Sequence, residues 1–476
     1  MSGIMLTLLG STFGGAKNFI ATFNDEVNSK ECRQIAVCTD SNDNIYVAAA
    51  NMHDTGSGNT TYRANFKVSN AGELLATKGT RTTGDDSWRP SLRNHVNSNG
   101  NYVYSFYGDS GDDFLIHELS GDFSSTVSRK VGSTNNSSAN FDNVKACVWR
   151  PSNDHFYVLR YNSSTVESEL MHFNSSYSQQ TSRNYKYQRG YGATGGDTLY
   201  DAGCIAIDSN GNVYTGGSTV YVGYEGTFHK QNSSLAHQWT RTIRSGYGAG
   251  HTKGVAVDSN NNPYFCGSID SLDCGFITKY NSSGTQQWIR FLRDRDDSQA
   301  TFNAIHIDSN DNIYLGGSIL EDGYPGGSFS GSQQNIGVVV KYNTSGTKQW
   351  ERGISYASTQ VGFSNQQSSN MPADITTDSE GNVIFVFAQH SHPSYGQNRA
   401  SVRLAKIPAD GSMTGTYSGG VDGNVKYAAT DTTDSGLNPD YRTIGLSTSY
   451  TINRYFINNS QTIDALSYPT DIAEIS

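Results

Sequence analysis

Short runs of alternating apolar and polar residues recur along this chain, and the clearest come in pairs around an Asp-rich turn. Ile305-His306-Ile307 leads into Asp308-Ser309-Asn310-Asp311-Asn312, and Ile313-Tyr314-Leu315-Gly316-Gly317 leaves it. Alternation with a period of two predicts half-buried strands, and a tight turn between two such runs predicts a hairpin. The pattern returns with Ile205-Ala206-Ile207 before Asp208, Val255-Ala256-Val257 before Asp258 and Val37-Cys38-Thr39 before Asp40. Ile375-Thr376-Thr377 before Asp378 is a looser copy. Two degenerate copies stand between, at Asn97-Ser98-Asn99-Gly100-Asn101 and Pro151-Ser152-Asn153-Asp154-His155. No run of ten or more residues carries an unambiguous helical stripe.

Taking Asp40, Asn97, Pro151, Asp208, Asp258, Asp308 and Asp378 as markers, the intervals are 57, 54, 57, 50, 50 and 70 residues. An insertion over 357–372 accounts for the last. A second pattern follows each hairpin: Phe276-Ile277-Thr278-Lys279-Tyr280-Asn281 through Trp288 matches Val338-Val339-Val340-Lys341-Tyr342-Asn343 through Trp350, and 228–239 is a looser copy ending at Trp239. Each unit thus holds two hairpins, or four short antiparallel strands. Such a unit cannot bury its apolar face alone, and radial repetition around an axis is the architecture that leaves only short edges. The expected fold is an all-β propeller of seven four-stranded antiparallel blades over 18–420, after a lead-in at 1–17. Asn18-Phe19-Ile20-Ala21-Thr22-Phe23-Asn24 resembles a third strand without its preceding hairpin. The tail at 421–476 reads as a polar excursion over 421–440 followed by a strand at 450–457, which is expected to close the ring by joining the orphan strand. An eighth blade follows if orphan strand and tail build one together.

Composition narrows the function. Hydrophobic residues make up 35% and charged residues 16% of the 476, with 50 Gly and 29 Tyr, which suits short strands and tight turns. A formal charge of -10 argues against a nucleic-acid backbone as partner. Arg290, Arg293 and Arg295 do cluster, but Asp294, Asp296 and Asp297 interleave with them. Cys32, Cys38, Cys147, Cys204, Cys266 and Cys274 lack zinc-ribbon spacing and are read as packed thiols, with a Cys266–Cys274 hairpin pair as the alternative. The apolar run at 4–9 has no basic flank and is too short to span a bilayer, so neither a signal peptide nor membrane insertion is expected.

The Asp-x-Asn-x-Asn turn places oxygens at alternate positions, as a calcium loop does. Strands flank it, however, and no closing Glu recurs, so Asx hydrogen bonding to the local backbone is the preferred reading and calcium at one or more turns the alternative. Trp239, Trp288 and Trp350 share one repeat position, which predicts packing between blades. Gly216-Gly217 and Gly316-Gly317 suit close strand approach and do not form a phosphate loop. His306, Asp374 and Asp378 lie on or beside first strands and are the candidates for a polar central site, with a satisfied sheet residue as the competing reading of His306. His390 and His392 share a strand face without a third metal ligand. No catalytic, cofactor or metal residue is assigned.

The repeated Val-Asp-Ser-Asn-x-Asn-x-Tyr-x-x-Gly core and the following Lys-Tyr-Asn-x-x-Gly-x-x-x-Trp resemble the SBBP-type β-propeller repeat, over most of 31–417. Such repeats occur in bacterial surface and secreted proteins and in tail-associated structural proteins of bacteriophages. With no signal peptide expected the phage branch fits better, so the expectation is a non-enzymatic structural protein of a virion, associated with a tail or baseplate and acting in assembly or host contact. Its implied partners are other virion or tail proteins, further copies of itself, or a host-surface glycan. The candidate contact loops are 51–62, 108–113, 221–226, 321–335, 357–372 and 421–440. The alternatives are a glycan-binding propeller and a polysaccharide lyase or hydrolase using the central channel.

Overall fold

The computed structural model describes residues 19–23, 34–50, 60–83, 93–108, 113–132, 144–162, 167–187, 199–219, 226–244, 250–269, 274–294, 300–321, 334–356, 373–392, 396–412, 415–419, 423–428, 432–435, 440–443, 446–448, 455–458 and 470–474. Among them there are strands and turns but no helix.

Each Asp turn is built by its own side chain. Asp308 Oδ1 accepts the backbone N–H groups of Asn310 (2.9 Å) and Asn312 (2.8 Å), and Oδ2 accepts Asn312 Nδ2 (2.8 Å) and the Tyr314 hydroxyl (3.2 Å). Asp40, Asp208 and Asp258 repeat the carboxylate–Asn–Tyr arrangement, and Asp378 grips Asn382 in the same way. The carboxylate oxygens are spent on the turn. Asp311, at the position that takes positive φ (60°), reaches sideways: it accepts Ser259 N (2.8 Å) and Ser259 Oγ (2.6 Å) from the preceding blade. Asp43 holds Ser379, Asn261 holds Ser209 and Asp154 holds Ser98 in the same manner.

The hairpins assemble into seven separate sheets with a four-stranded antiparallel core. The innermost strands are Gln34–Thr39, Arg93–Val96, Val144–Arg150, Leu199–Ile207, Gly250–Val257, Ala300–Ile307 and Ala373–Thr377, in blades 1 to 7. Each touches the next, and the last touches the first, so they surround an axis. Phe19–Phe23 supplies the fourth strand of blade 7, pairing with Gly396–Ile407. The strand order puts the first-to-second and third-to-fourth turns at one end of every blade, the turn face. Second-to-third connections and passages between blades leave from the other end, the loop face.

Apolar packing lies between blades as well as within them. Phe19, Ile384 and Leu404 of blade 7 share a core with Ile35, Val47 and Phe66 of blade 1. The three tryptophans do pack across blades: Trp239, Trp288 and Trp350 each lie against a positive-φ glycine of the next blade, Gly284, Gly346 and Gly411. Trp288 Nε1 donates to Thr344 O (3.1 Å), and the Arg290 guanidinium lies 5.4 Å from the Trp288 ring centre while Nε donates to Gly346 O. Any Cβ at Gly346 would stand 2.7 Å from the Trp288 ring, so glycine serves both the turn and the contact there. A third-strand lysine sits over the second-strand Tyr46, Tyr214, Tyr264 and Tyr314, as with Lys279 over Tyr264 (4.9 Å). Lys406 is fully buried against Asp378 (2.9 Å) and also donates to Asn70 of blade 1.

The expectation that a strand at 450–457 would close the ring by joining the orphan strand is corrected. No sheet is closed; each is an open antiparallel sheet. Tyr455–Asn458, expected opposite Phe19–Phe23, pairs with Thr126–Gly132 of blade 2. It is one of a series. Gly423–Ala428, Thr432–Ser435, Asp440–Thr443 and Leu446–Thr448 add to the outer strands of blades 6, 5, 4 and 3. Thr470–Glu474 then adds to Phe19–Phe23 in blade 7. The tail thus circles the ring against the direction of the repeats, pairing backbone groups that outer edges would leave open. It leaves from blade 6 along the outside, where the next outer edge is that of blade 5, so Tyr455–Asn458 meets the edge of blade 2 and only Thr470–Glu474 reaches the orphan strand. No eighth blade forms from these strands.

Candidate functional site in the axial channel

Four of the innermost strands carry a register shift. The shift falls at Lys145 between Val144 and Ala146, at Lys253 between Thr252 and Gly254, and at Asn303 between Phe302 and Ala304. In blade 4 the shifted stretch contains Gly203, where a Cβ would stand 2.6 Å from Lys145 Cβ. A bulge re-aims the extra side chain out of the alternating pattern. Here the neighbours on both sides are buried while Lys145, Lys253 and Asn303 are half-exposed, so these three face the channel. All lie toward the loop-face half of the strands.

Arg93 joins them from blade 2. Its charge acts on Asp374 of blade 7, Cys147 of blade 3 and Cys204 of blade 4, which places the guanidinium near the axis. Burial pushes the Asp374 carboxyl above the usual carboxylate range, and Arg93 and two backbone donors oppose the rise. Those donors are Val37 N across the blade 7–blade 1 seam (3.0 Å to Oδ2) and Ile375 N (3.0 Å to Oδ1). Burial raises the Cys147 and Cys204 thiols to about 12, so neither supplies a thiolate nucleophile near neutral pH.

The residues singled out from the sequence divide. Asp374 is in the channel. His306 is nearer the turn face, where Nε2 meets Thr377 Oγ1 at 3.1 Å and burial lowers its pKa to about 4, so it is a neutral link between blades 6 and 7. Asp378 is consumed by its turn and by Lys406. His390 and His392 have only their strand pairing described. Arg290 serves Trp288, the backbone of Arg293 pairs with Thr433, and Arg295 lies outside the described residues. Cys38, Cys147, Cys204, Cys266 and Cys274 are free thiols, while Cys32 lies outside the described residues. Of the candidate loops, 51–59, 109–112, 221–225, 322–333 and 357–372 also lie outside them, and the strand ends flanking these five are at the loop face. The sixth, 421–440, is corrected, since Gly423–Ala428 and Thr432–Ser435 are strands on the outer edges of blades 6 and 5. Sequence reasoning missed Arg93, Lys145, Lys253 and Asn303. The available signal was one polar residue interrupting an apolar first strand a few residues ahead of its turn.

Among the described residues no group of His, Cys, Asp and Glu is arranged to hold a metal ion. No protein-family model and no curated protein matches the chain. Solved structures of similar form include the polysaccharide lyase Uly1, at 8% identity and TM-score 0.36 over 81% of this chain and 91% of that one. The Penicillium chrysogenum α-L-arabinanase complexed with arabinobiose is 7% identical, TM-score 0.40, over 82% and 98%. The Fusarium graminearum α-L-arabinofuranosidase is 8% identical, TM-score 0.36, over 82% and 98%. Such distant likeness transfers no substrate and no site residue. The SBBP-type and phage-tail identification is corrected: no family model matches the chain, and the likeness to the solved structures above shows the fold alone. The virion location and the non-enzymatic role implied by that identification are corrected with it. The physical reason is that the motif carrying the resemblance is consumed by turns and blade contacts, so it specifies the ring and no biological setting.

Proposed function

We propose that the protein is a polysaccharide-cleaving enzyme whose centre is the loop-face half of the axial channel, acting on a chain that carries carboxylates. The observation that supports this reading most is the convergence of Arg93, Lys145 and Lys253 on an axis that also holds Asp374, within a chain of net charge -10. Cations gathered against the overall charge favour an anionic ligand, and a low-dielectric channel strengthens that attraction. Asp374 has the environment of a general acid, because burial favours its protonated form. In this reading the cations hold a uronate carboxylate while Asp374 gives a proton to the leaving glycosidic oxygen.

The test is incubation of the purified protein with uronate-containing and neutral polysaccharides, following new reducing ends and the ultraviolet absorbance of unsaturated uronate. Cleavage of a uronate polymer is expected, with a loss of about a hundredfold or more on Asp374→Asn, the scale of one general acid. Arg93→Ala is expected to act chiefly through KM. Unsaturated product assigns elimination, and saturated product assigns hydrolysis. Turnover of neutral polymers alone, or an Asp374→Asn variant as active as the parent, overturns the reading.

A further inference from the structure

The junction between blades 2 and 3 is built differently from the others and encloses a cavity of about 490 Å³ on the turn face, opposite in the fold to the axial residues above. Its origin can be read by register. Blade 5 pairs Tyr264 with Lys279 and Lys279 with Trp288, and the tyrosine and tryptophan fill its junctions. Blade 2 pairs Val103 with Glu118 and Glu118 with Val127 at the same places. Two aromatic rings are therefore replaced by valines. The space that remains is bounded by Val103, Trp149, Tyr177, Glu118, Arg129 and Asp154.

The lining is organised. Glu118 accepts Arg129 Nη1 (2.9 Å), Asn97 Nδ2 (3.0 Å) and Asn101 Nδ2 (2.9 Å), and these bonds hold its carboxyl ionised. Arg129 lies 4.3 Å from the Tyr177 ring centre, fixing that ring at the rim. Asp154 accepts Ser98 N (3.0 Å), Ser98 Oγ (2.5 Å) and faces His95 Nε2 (3.2 Å), whose imidazole burial keeps neutral. Two carboxylates and one guanidinium leave the cavity with a small negative excess. It therefore disfavours anions, unlike the axial channel. Fixed acceptors beside Ser and Asn donors, with an aromatic ring at the rim, match the alternating hydroxyls and apolar face of a neutral sugar ring. The volume falls within the roughly 300–1,000 Å³ typical of small-ligand sites.

We infer that the cleft between blades 2 and 3 is a binding site for a neutral saccharide unit, separate from the axial centre. Titration calorimetry with neutral arabino-, galacto-, gluco- and manno-configured di- and trisaccharides tests it, with a galacturonate trisaccharide as the anionic control. At least one neutral ligand is expected to bind at a stoichiometry of one. Val103→Tyr, which restores the ring that blade 1 carries as Tyr46, is expected to weaken binding at least tenfold; Tyr177→Ala provides the same readout should Val103→Tyr not fold. Arg93→Ala is expected to leave this binding unchanged. Absence of binding by the whole neutral panel overturns the inference. So does undiminished binding in a folded Val103→Tyr variant, or loss of binding on Arg93→Ala, which would move the ligand to the axis.

Discussion

The two halves of the ring solve the same packing problem in opposite ways. In blades 4, 5, 6 and 7 a bulky outer-strand residue, Trp239, Trp288, Trp350 or Phe19, is followed in the next blade by a positive-φ glycine: Gly284, Gly346, Gly411 or Gly72. In blades 1, 2 and 3 the outer residue opposite the third strand is small, Ala76, Val127 or Thr181. There the next turn carries Phe123 (φ 62°), Tyr177 (φ 60°) or Leu235 (φ 59°). Volume has moved across the junction from one blade to its neighbour. The bulky residues accept a backbone conformation that L side chains rarely adopt, at a cost on the order of 1–3 kcal/mol each, offset by the burial they gain. Only the total at each junction is constrained by close packing, not which blade supplies it. Where the second-strand tyrosine is absent too, between blades 2 and 3, the total falls short and a cavity appears.

The contrast can be broken most severely at a regular contact. Lys406→Ala leaves Asp378 fully buried without its cation and should cost about 3–5 kcal/mol in chemical denaturation, as breaking a buried pair does. Trp288→Ala should cost about 2–4 kcal/mol, less than a wholly enclosed tryptophan because Trp288 keeps a wet edge, whereas Val127→Ala at the matching site should fall within about 0.5 kcal/mol. Equal losses at the two sites would refute the reciprocal scheme. Val127→Trp alone should collide with Tyr177 and destabilise by about 1–3 kcal/mol, and adding Tyr177→Gly should recover most of that loss by installing the regular arrangement. A double variant no more stable than the single one would show that the halves are not interchangeable.

A pH titration sharpens the comparison more gently. Blade 3 has His172 stacked on Tyr157 (4.3 Å between ring centres) where blade 5 has Lys279 over Tyr264. Burial and the neighbouring His155 lower the His172 pKa from 6.5 to about 4. The folded state thus prefers neutral imidazole, and the unfolded state takes up the proton first. The stability this group contributes is present above pH 6.5 and is lost as pH falls toward about 4. His172→Gln should flatten the fall in melting temperature over that interval; an unchanged slope would exclude His172 as its source. The smallest expected effect is Ser259→Ala, which removes the Oγ contact to Asp311 and should cost about 0.5–1.5 kcal/mol by thermal unfolding.

Local chemistry was legible in the chain because it is local. Asp308, Asn312 and Tyr314 make one hydrogen-bonded turn within seven residues, and its recurrence announced seven blades before any blade was seen. The repeated Trp288 and Trp350 likewise disclosed a shared packing site. The partners across each junction were not legible, since Val127 and Tyr177 become complementary only when two blades are set side by side. Nor was the path of the tail: strands of three to six residues with weak patterns, such as Leu446–Thr448, take their register from the edges they meet. The axial group was hidden for a further reason. Lys145, Lys253 and Asn303 share the channel because bulges on separate blades turn them inward, and a one-residue shift in pairing leaves no periodic trace in the sequence. Repetition along the chain therefore determined the ring, while contacts between blades decided where it is open to a ligand.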